Sequence, residues 1–252
     1  TTGSIATAGL SAPGILAQSI GGGGGNGGWS QSSSSSNKYA AGFAIGGWGS
    51  NGGYANNVTV NSGGSLISTT GSQSSGIVAQ SIGGGGGNGG ASSSQVSSTP
   101  GSATDGVASV VGQSLSSAGV PTTIGNAASN YFATSISSPS SSQPSSTPSS
   151  TPNSGASASV AVGGFGGTGG YAQNVAVNSA TNLSTTGTFS NGIYAQSVGG
   201  GGGNGGSSTS GADGGKYSGA ISLGGFGESG GYSGSVGVTN SGTISTVGNN
   251  SL

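Results

Sequence analysis

The chain has 252 residues, a net charge of −1, two lysines, no arginine, and no His, Cys or Met. So few cations exclude phosphate-driven nucleic-acid binding and a polybasic membrane patch. The missing His and Cys exclude His-based acid–base work, His/Cys metal sites and disulfide staples.

Ile, Leu, Val and Phe make up about 16 % of the residues, below the ~20 % line for disorder, yet the high net charge of disordered chains is absent. No apolar run approaches the ~18 residues of a membrane span, and no charged n-region with an apolar core opens the chain.

Taken in chain order, the first apolar stretch is "GILAQSI" (Gly14–Ile20), followed by "GGGGGNGG" (Gly21–Gly28). A second is "GFAIGGWGSNGGYA" (Gly42–Ala55), and a third is "NVTVNSGGSLIST" (Asn57–Thr69). The pair of strand and glycine run returns at Gly76–Gly90 and Gly192–Gly206, shifted by 62 and then by a further 116 residues. The basic period is thus 61 or 62, and the middle copy carries an insertion of about 55 residues. A fixed period points to a solenoid. Three apolar stretches per period give roughly 20 residues per stretch, which suits one rung, and predict an all-β parallel β-helix with Gly-rich loops. The predicted solenoid spans residues 1–90 and 158–252, with a Ser/Thr/Pro-rich insertion at 91–157.

Period-two alternation sets the faces of these strands. Ile15, Ile77 and Ile193, with Ala17, Ala79 and Ala195, are expected inside. So are Val58 and Val60, Val175 and Val177, and Val236 and Val238. Gln18, Gln80 and Gln196 face outward by parity, as a stacked amide ladder.

The glycine runs read first as tightly wound turns or extruded loops between rungs. The second reading is an extended, polyglycine II-like segment that packs against its copies. A P-loop is excluded because no Lys follows any run. Calcium is disfavoured because Asn26, Asn88 and Asn204 stand where a hard cation wants carboxylates. Asp105, Asp213 and Glu228 are scattered, so no catalytic, metal or cofactor site is expected.

Trp48, Phe165 and Phe226 share one repeat position, and Tyr54, Tyr171 and Tyr232 another. They are expected to stack rung on rung or cap Gly-rich corners, and they are the candidate contact surface for glycans. Thr69, Thr185 and Thr246 also repeat in register, as a flat Thr array would.

The insertion has two parts. Asp105–Ser137 carries Val107, Val110, Val111, Leu115, Val120, Ile124, Tyr131, Phe132 and Ile136, enough for a short helix or hairpin docked on the solenoid. Ser137–Gly155 is a Ser/Pro linker or stalk.

The stretch "NSGGSLISTTGSQSSGIVAQSIGGGGGNGG" (Asn61–Gly90) resembles the Gly-rich passenger domains of large bacterial autotransporter adhesins, and the likeness extends through all three repeats. The resemblance implies a secreted, surface-exposed parallel β-helix, exported by a C-terminal outer-membrane barrel that is not in this chain. The expected function is a non-enzymatic stalk in surface attachment or biofilm formation. The alternative is a self-assembling extracellular filament. Expected partners are further copies, host or abiotic surfaces, or glycans, with no nucleic acid and no membrane insertion of this segment.

Overall fold

The computed structural model describes residues 3–36, 39–98, 155–213 and 217–252. The expectations for Asp105–Ser137 and for the Ser/Pro tract lie outside these residues. Among the described residues there is no helix, and every strand pairing is parallel.

The first coil holds β1 (Ile5–Thr7), β2 (Ile15–Ile20), β3 (Ser30–Ser36), β4 (Tyr39–Ile45) and β5 (Val58–Ser62). The second repeats them as β6 (Leu66–Thr69), β7 (Ile77–Ile82), β8 (Ser92–Ser98), β9 (Ala156–Val162) and β10 (Val175–Ser179). The third has β11 (Asn182–Thr185), β12 (Ile193–Val198), β13 (Ser208–Asp213), β14 (Tyr217–Leu223) and β15 (Val236–Asn240), and β16 (Ile244–Thr246) starts another turn. Equivalent strands stack into five sheets: β1-β6-β11-β16, β2-β7-β12, β3-β8-β13, β4-β9-β14 and β5-β10-β15. The register follows the sequence repeat, with Ile77 beside Ile15 on one side and Ile193 on the other. The parallel β-helix is as expected, but one coil takes the whole period and five strands, not a single stretch of roughly 20 residues: equivalent strands lie 62, 116 and 61 residues apart, from Ile5 to Ile67, Leu183 and Ile244.

Three of the sheets, those containing β6, β7 and β10, share one apolar core. Ile67, Ile77, Ala79, Val177 and Leu183 are essentially inaccessible there, and Val58, Val60 and Val175 are buried with them. Ile15, Ala17, Ile193 and Ala195 pack against this core from the outer coils and are partly buried. The alternation thus gave the correct inward face in these strands. Val236 and Val238 depart from the expectation. They keep register with Val175 and Val177 but are 45 % and 48 % exposed, because, among the described residues, β15 packs across the core against β12 alone, whereas β5, the other edge strand of this sheet, packs against both β2 and β7.

The corner after the β6-type strand is tied by hydroxyls. Thr185 Oγ1 donates to the Ser190 carbonyl at 2.7 Å, Thr7 Oγ1 to Ala12 at 2.7 Å, and Thr69 Oγ1 to Ser74. Thr69 and Thr185 are fully buried, so the repeated threonines lock a corner and present no flat array. The same corner holds four non-glycine residues with left-handed backbone, Ser11, Gln73, Phe189 and Asn250 (φ 54–57°).

The other two sheets, containing β8 and β9, lie face to face at the far end of each coil. Small side chains let them approach closely. A Cβ at Gly42 would lie 2.4 Å from Val96 Cγ2, and Ser159 Oγ donates to the Ser94 carbonyl at 2.8 Å. The strand β8 begins the stretch read as insertion. Its sequence, "SSSQVSS", has no apolar alternation to mark it, yet it pairs in full register with β3 and β13.

Candidate functional site

Between the apolar core and the serine-rich tip, each coil crosses a gap twice, and only glycine-rich chain spans it. The outward crossings are 21–28, 83–90 and 199–206. The return crossings are 46–53, 163–170 and 224–231. Their hydrogen bonds have a period of three. Gly83, Gly86 and Gly89 donate along the stack to Val198, Gly201 and Asn204, at 2.8 Å each. The next residues, Gly84, Gly87 and Gly90, donate sideways to Gly53, Ser50 and Gly47 of an antiparallel return crossing, at 2.9, 2.8 and 2.7 Å. The return crossing of the same coil donates back, from Gly170, Gly167 and Gly164 to Gly84, Gly87 and Gly90.

Three residues per turn is the geometry of a polyproline II-type strand, with a rise of about 3.1 Å per residue. The crossings therefore form a slab of six such strands, bonded both along the stack and across it. The turn or extruded-loop reading is thereby corrected, and the polyglycine II reading holds. The physical reason is close approach. A Cβ at Gly86 would stand 1.9 Å from the Gly167 carbonyl oxygen, and one at Gly87 would stand 2.0 Å from that of Gly25. No glycine of the six crossings has a left-handed φ, so these glycines serve the packing of backbones and not a turn.

The third residue of each triplet points out of the slab, where side chains fit. On the outward crossings this phase holds Gly23, Asn26 and Trp29, then Gly85, Asn88 and Ala91, then Gly201, Asn204 and Ser207. On the return crossings it holds Trp48, Asn51 and Tyr54 and their two sets of counterparts. The sequence carried this signal in "GGWGSNGGY", "GGFGGTGGY" and "GGFGESGGY", where non-glycine residues recur every third position. Ser50 and Glu228 interrupt the triplet, and both lie in outer coils.

The slab has two unlike faces. On one, Tyr54, Tyr171 and Tyr232 stack with ring centroids 5.1 and 5.5 Å apart. Beside them Trp48 meets Phe165 edge-on at 5.8 Å, and Phe165 stacks on Phe226 at 5.7 Å. Each of these aromatics except Phe165 is 43 % or more exposed. They form ladders on the slab and do not cap the apolar core. On the other face runs an asparagine ladder, in which the Asn88 N–H donates to Asn26 Oδ1 and the Asn204 N–H to Asn88 Oδ1, both at 2.9 Å. It continues the glutamine ladder of the β7 sheet, where Gln18 Nε2 donates to Gln80 Oε1 at 2.5 Å and Gln80 Nε2 to Gln196 Oε1 at 3.3 Å.

Elsewhere the surface offers an open groove of about 510 Å³ at the corner lined by Asn61, Asn178 and Thr239. Its Asn178 Nδ2 donates to Asn61 Oδ1 at 3.0 Å, so the groove is another corner ladder. Among the described residues, no three of His, Cys, Asp or Glu come together, and no helix is long and apolar enough to cross a membrane. No family model, curated protein or solved structure matches this chain.

Proposed function

We propose that this chain is a structural repeat region of a secreted bacterial surface adhesin, a stiff stalk that holds contact surfaces away from the cell. One observation carries this reading: coil after coil keeps one register, and both the sheets and the glycine slab bond along the same stacking axis. Such a body lengthens by about 4.8 Å for each added coil without a new kind of contact. The likeness of Asn61–Gly90 to autotransporter passengers supports an extracellular, non-enzymatic role.

The test places the chain on a bacterial surface between an outer-membrane anchor and an unrelated binding domain. Adhesion under flow should depend on that domain and survive replacement of Trp48, Phe165 and Tyr171 by Ser. If the chain alone binds a glycan-coated or abiotic surface, and the substitutions abolish that binding, the aromatic ladders are the adhesive surface and the stalk reading fails. Concentration-dependent filaments in sedimentation would replace it with the self-assembling reading.

A further inference from the structure

Tyr54, Tyr171 and Tyr232 set the phenols of successive coils in one column, and the backbone fixes them there. The Ala55 N–H donates to the Tyr171 carbonyl and the Ala172 N–H to that of Tyr232, at 2.9 Å each. The Tyr54 and Tyr171 rings are 5.1 Å apart and 7° from parallel; those of Tyr171 and Tyr232 are 5.5 Å apart at 22°. Tyr171 has a ring on each side and is still 43 % exposed. The column is therefore open to a soluble reagent along its outer edge.

Paired, accessible phenols have a specific oxidative chemistry. A one-electron oxidant takes an electron and a proton from each of two phenols and leaves phenoxyl radicals, with spin at the carbons ortho to oxygen. Two such carbons join in a C–C bond, and the hydrogens they carried are replaced by hydrogens on the phenolic oxygens. A haem peroxidase with hydrogen peroxide meets the balance: the peroxide takes up the two electrons and two protons and becomes two waters. Holding the two rings side by side makes the coupling intramolecular and raises its effective concentration. Exposed side chains change rotamer in picoseconds to nanoseconds, so the rings can close the remaining gap.

We propose that the tyrosine column is an oxidative crosslinking site, at which dityrosine bonds weld successive coils of the glycine slab along the stacking axis. The co-reactant is a peroxide-driven one-electron oxidant. Each bond would join residues far apart in sequence and restrict the unfolded chain, as a disulfide does, in a protein without cysteine. Tyr194 is the internal control. It is 37 % exposed, close to Tyr171, but stands in register beside Val78, with Leu16 beyond.

The experiment treats the dilute, folded 252-residue chain with a haem peroxidase and hydrogen peroxide, isolates the monomer, and maps crosslinked peptides by dityrosine fluorescence and mass spectrometry. Tyr54–Tyr171 and Tyr171–Tyr232 bonds, each marked by the loss of two hydrogens, should exceed any crosslink to Tyr194 at least about tenfold. Tyr171→Phe keeps a ring in the column and should abolish both bonds with the circular dichroism spectrum unchanged. Tyr54→Phe should remove the first bond alone, and Tyr194→Phe should change neither. Monomer without dityrosine would overturn the proposal. So would crosslinks formed chiefly at tyrosines outside the column, or a Tyr171→Phe yield equal to wild type. Dityrosine confined to dimers would overturn it too, because the rings would then couple between molecules and not between coils.

Discussion

The apolar core and the glycine slab are built in the same three coils, yet they cohere by opposite means. Around Ile77 the sheets are held by side chains: Ile67, Val177 and Leu183 fill a space that water cannot enter. In the slab almost no side chain points inward, and backbones touch backbones through hydrogen bonds at 2.6–3.0 Å. The core tolerates exchange among apolar residues of similar size, as Ile67 beside Leu183 shows. In the middle coil the slab holds nothing larger than hydrogen at two of every three positions, and the third takes side chains as different as those of Asn88, Phe165 and Tyr171. One region specifies its fold by what it contains, the other by what it leaves out.

The hardest way to break the comparison is a charge in the core. Ile77→Asp places a carboxylate where the native side chain is fully buried and where no polar partner waits. We expect a loss above about 4 kcal/mol, the range of buried unpaired charges, read as a collapse of the cooperative urea transition. A melt unchanged from wild type would mean that the core is not the seat of stability.

The next test separates the phases of the slab. Gly86→Ala sets a methyl 1.9 Å from the Gly167 oxygen, whereas Gly85→Ala finds its nearest neighbour, the Gly201 oxygen, at 3.8 Å. The first should cost about 3 kcal/mol, at the upper end of overpacking in a close-packed interior. The second should stay within about 0.5 kcal/mol, as surface changes do. Thermal melts of the two variants, adjacent in sequence and alike in chemistry, would show whether the three-residue screw is real. Equal effects would dissolve it.

This pair also explains what could be read from the sequence. Val58 and Val60, or Ile77 and Ala79, announce their face because strand periodicity is two and apolar residues mark it. The glutamine and aromatic columns could be placed because their registers repeat. The slab was harder to see, since five glycines in a row carry no periodicity of their own. Only the return crossings, where Trp48, Asn51 and Tyr54 stand three apart, display the screw. The tip strand β8 was hidden for a related reason: of its four inward residues Ser92, Ser94 and Ser98 are buried but polar, so Val96 alone marks the buried face. The candidate contact surface was legible as six aligned aromatics, but which side of what body they occupied depended on the slab.

A smaller effect tests the slab's outer face. Tyr171 is sandwiched between Tyr54 and Tyr232 at 5.1 and 5.5 Å. Tyr171→Ala should lower stability by about 1 kcal/mol, the worth of aromatic pairs beyond buried area, and leave the fold intact by circular dichroism. A loss as large as that of Gly86→Ala would mean that side chains, and not backbones, hold the slab together.

The smallest change is expected to stabilise. Phe189 holds a left-handed φ of 55° while its ring is 58 % exposed. An L-residue with a bulky side chain pays roughly 1 kcal/mol or more for that backbone, while Asn tolerates it through local hydrogen bonding. The fourth coil already carries Asn250 at the equivalent corner, with φ 57°. Phe189→Asn should therefore raise the midpoint of unfolding, by a free energy of about 1 kcal/mol. The corner lies between strands of the apolar core, so a gain in overall stability would show that the core coils unfold together with their corners. A gain confined to local hydrogen exchange around Gly187–Asn191 would show instead that the corner opens by itself, and that the cooperative unit is the stacked strand and not the coil.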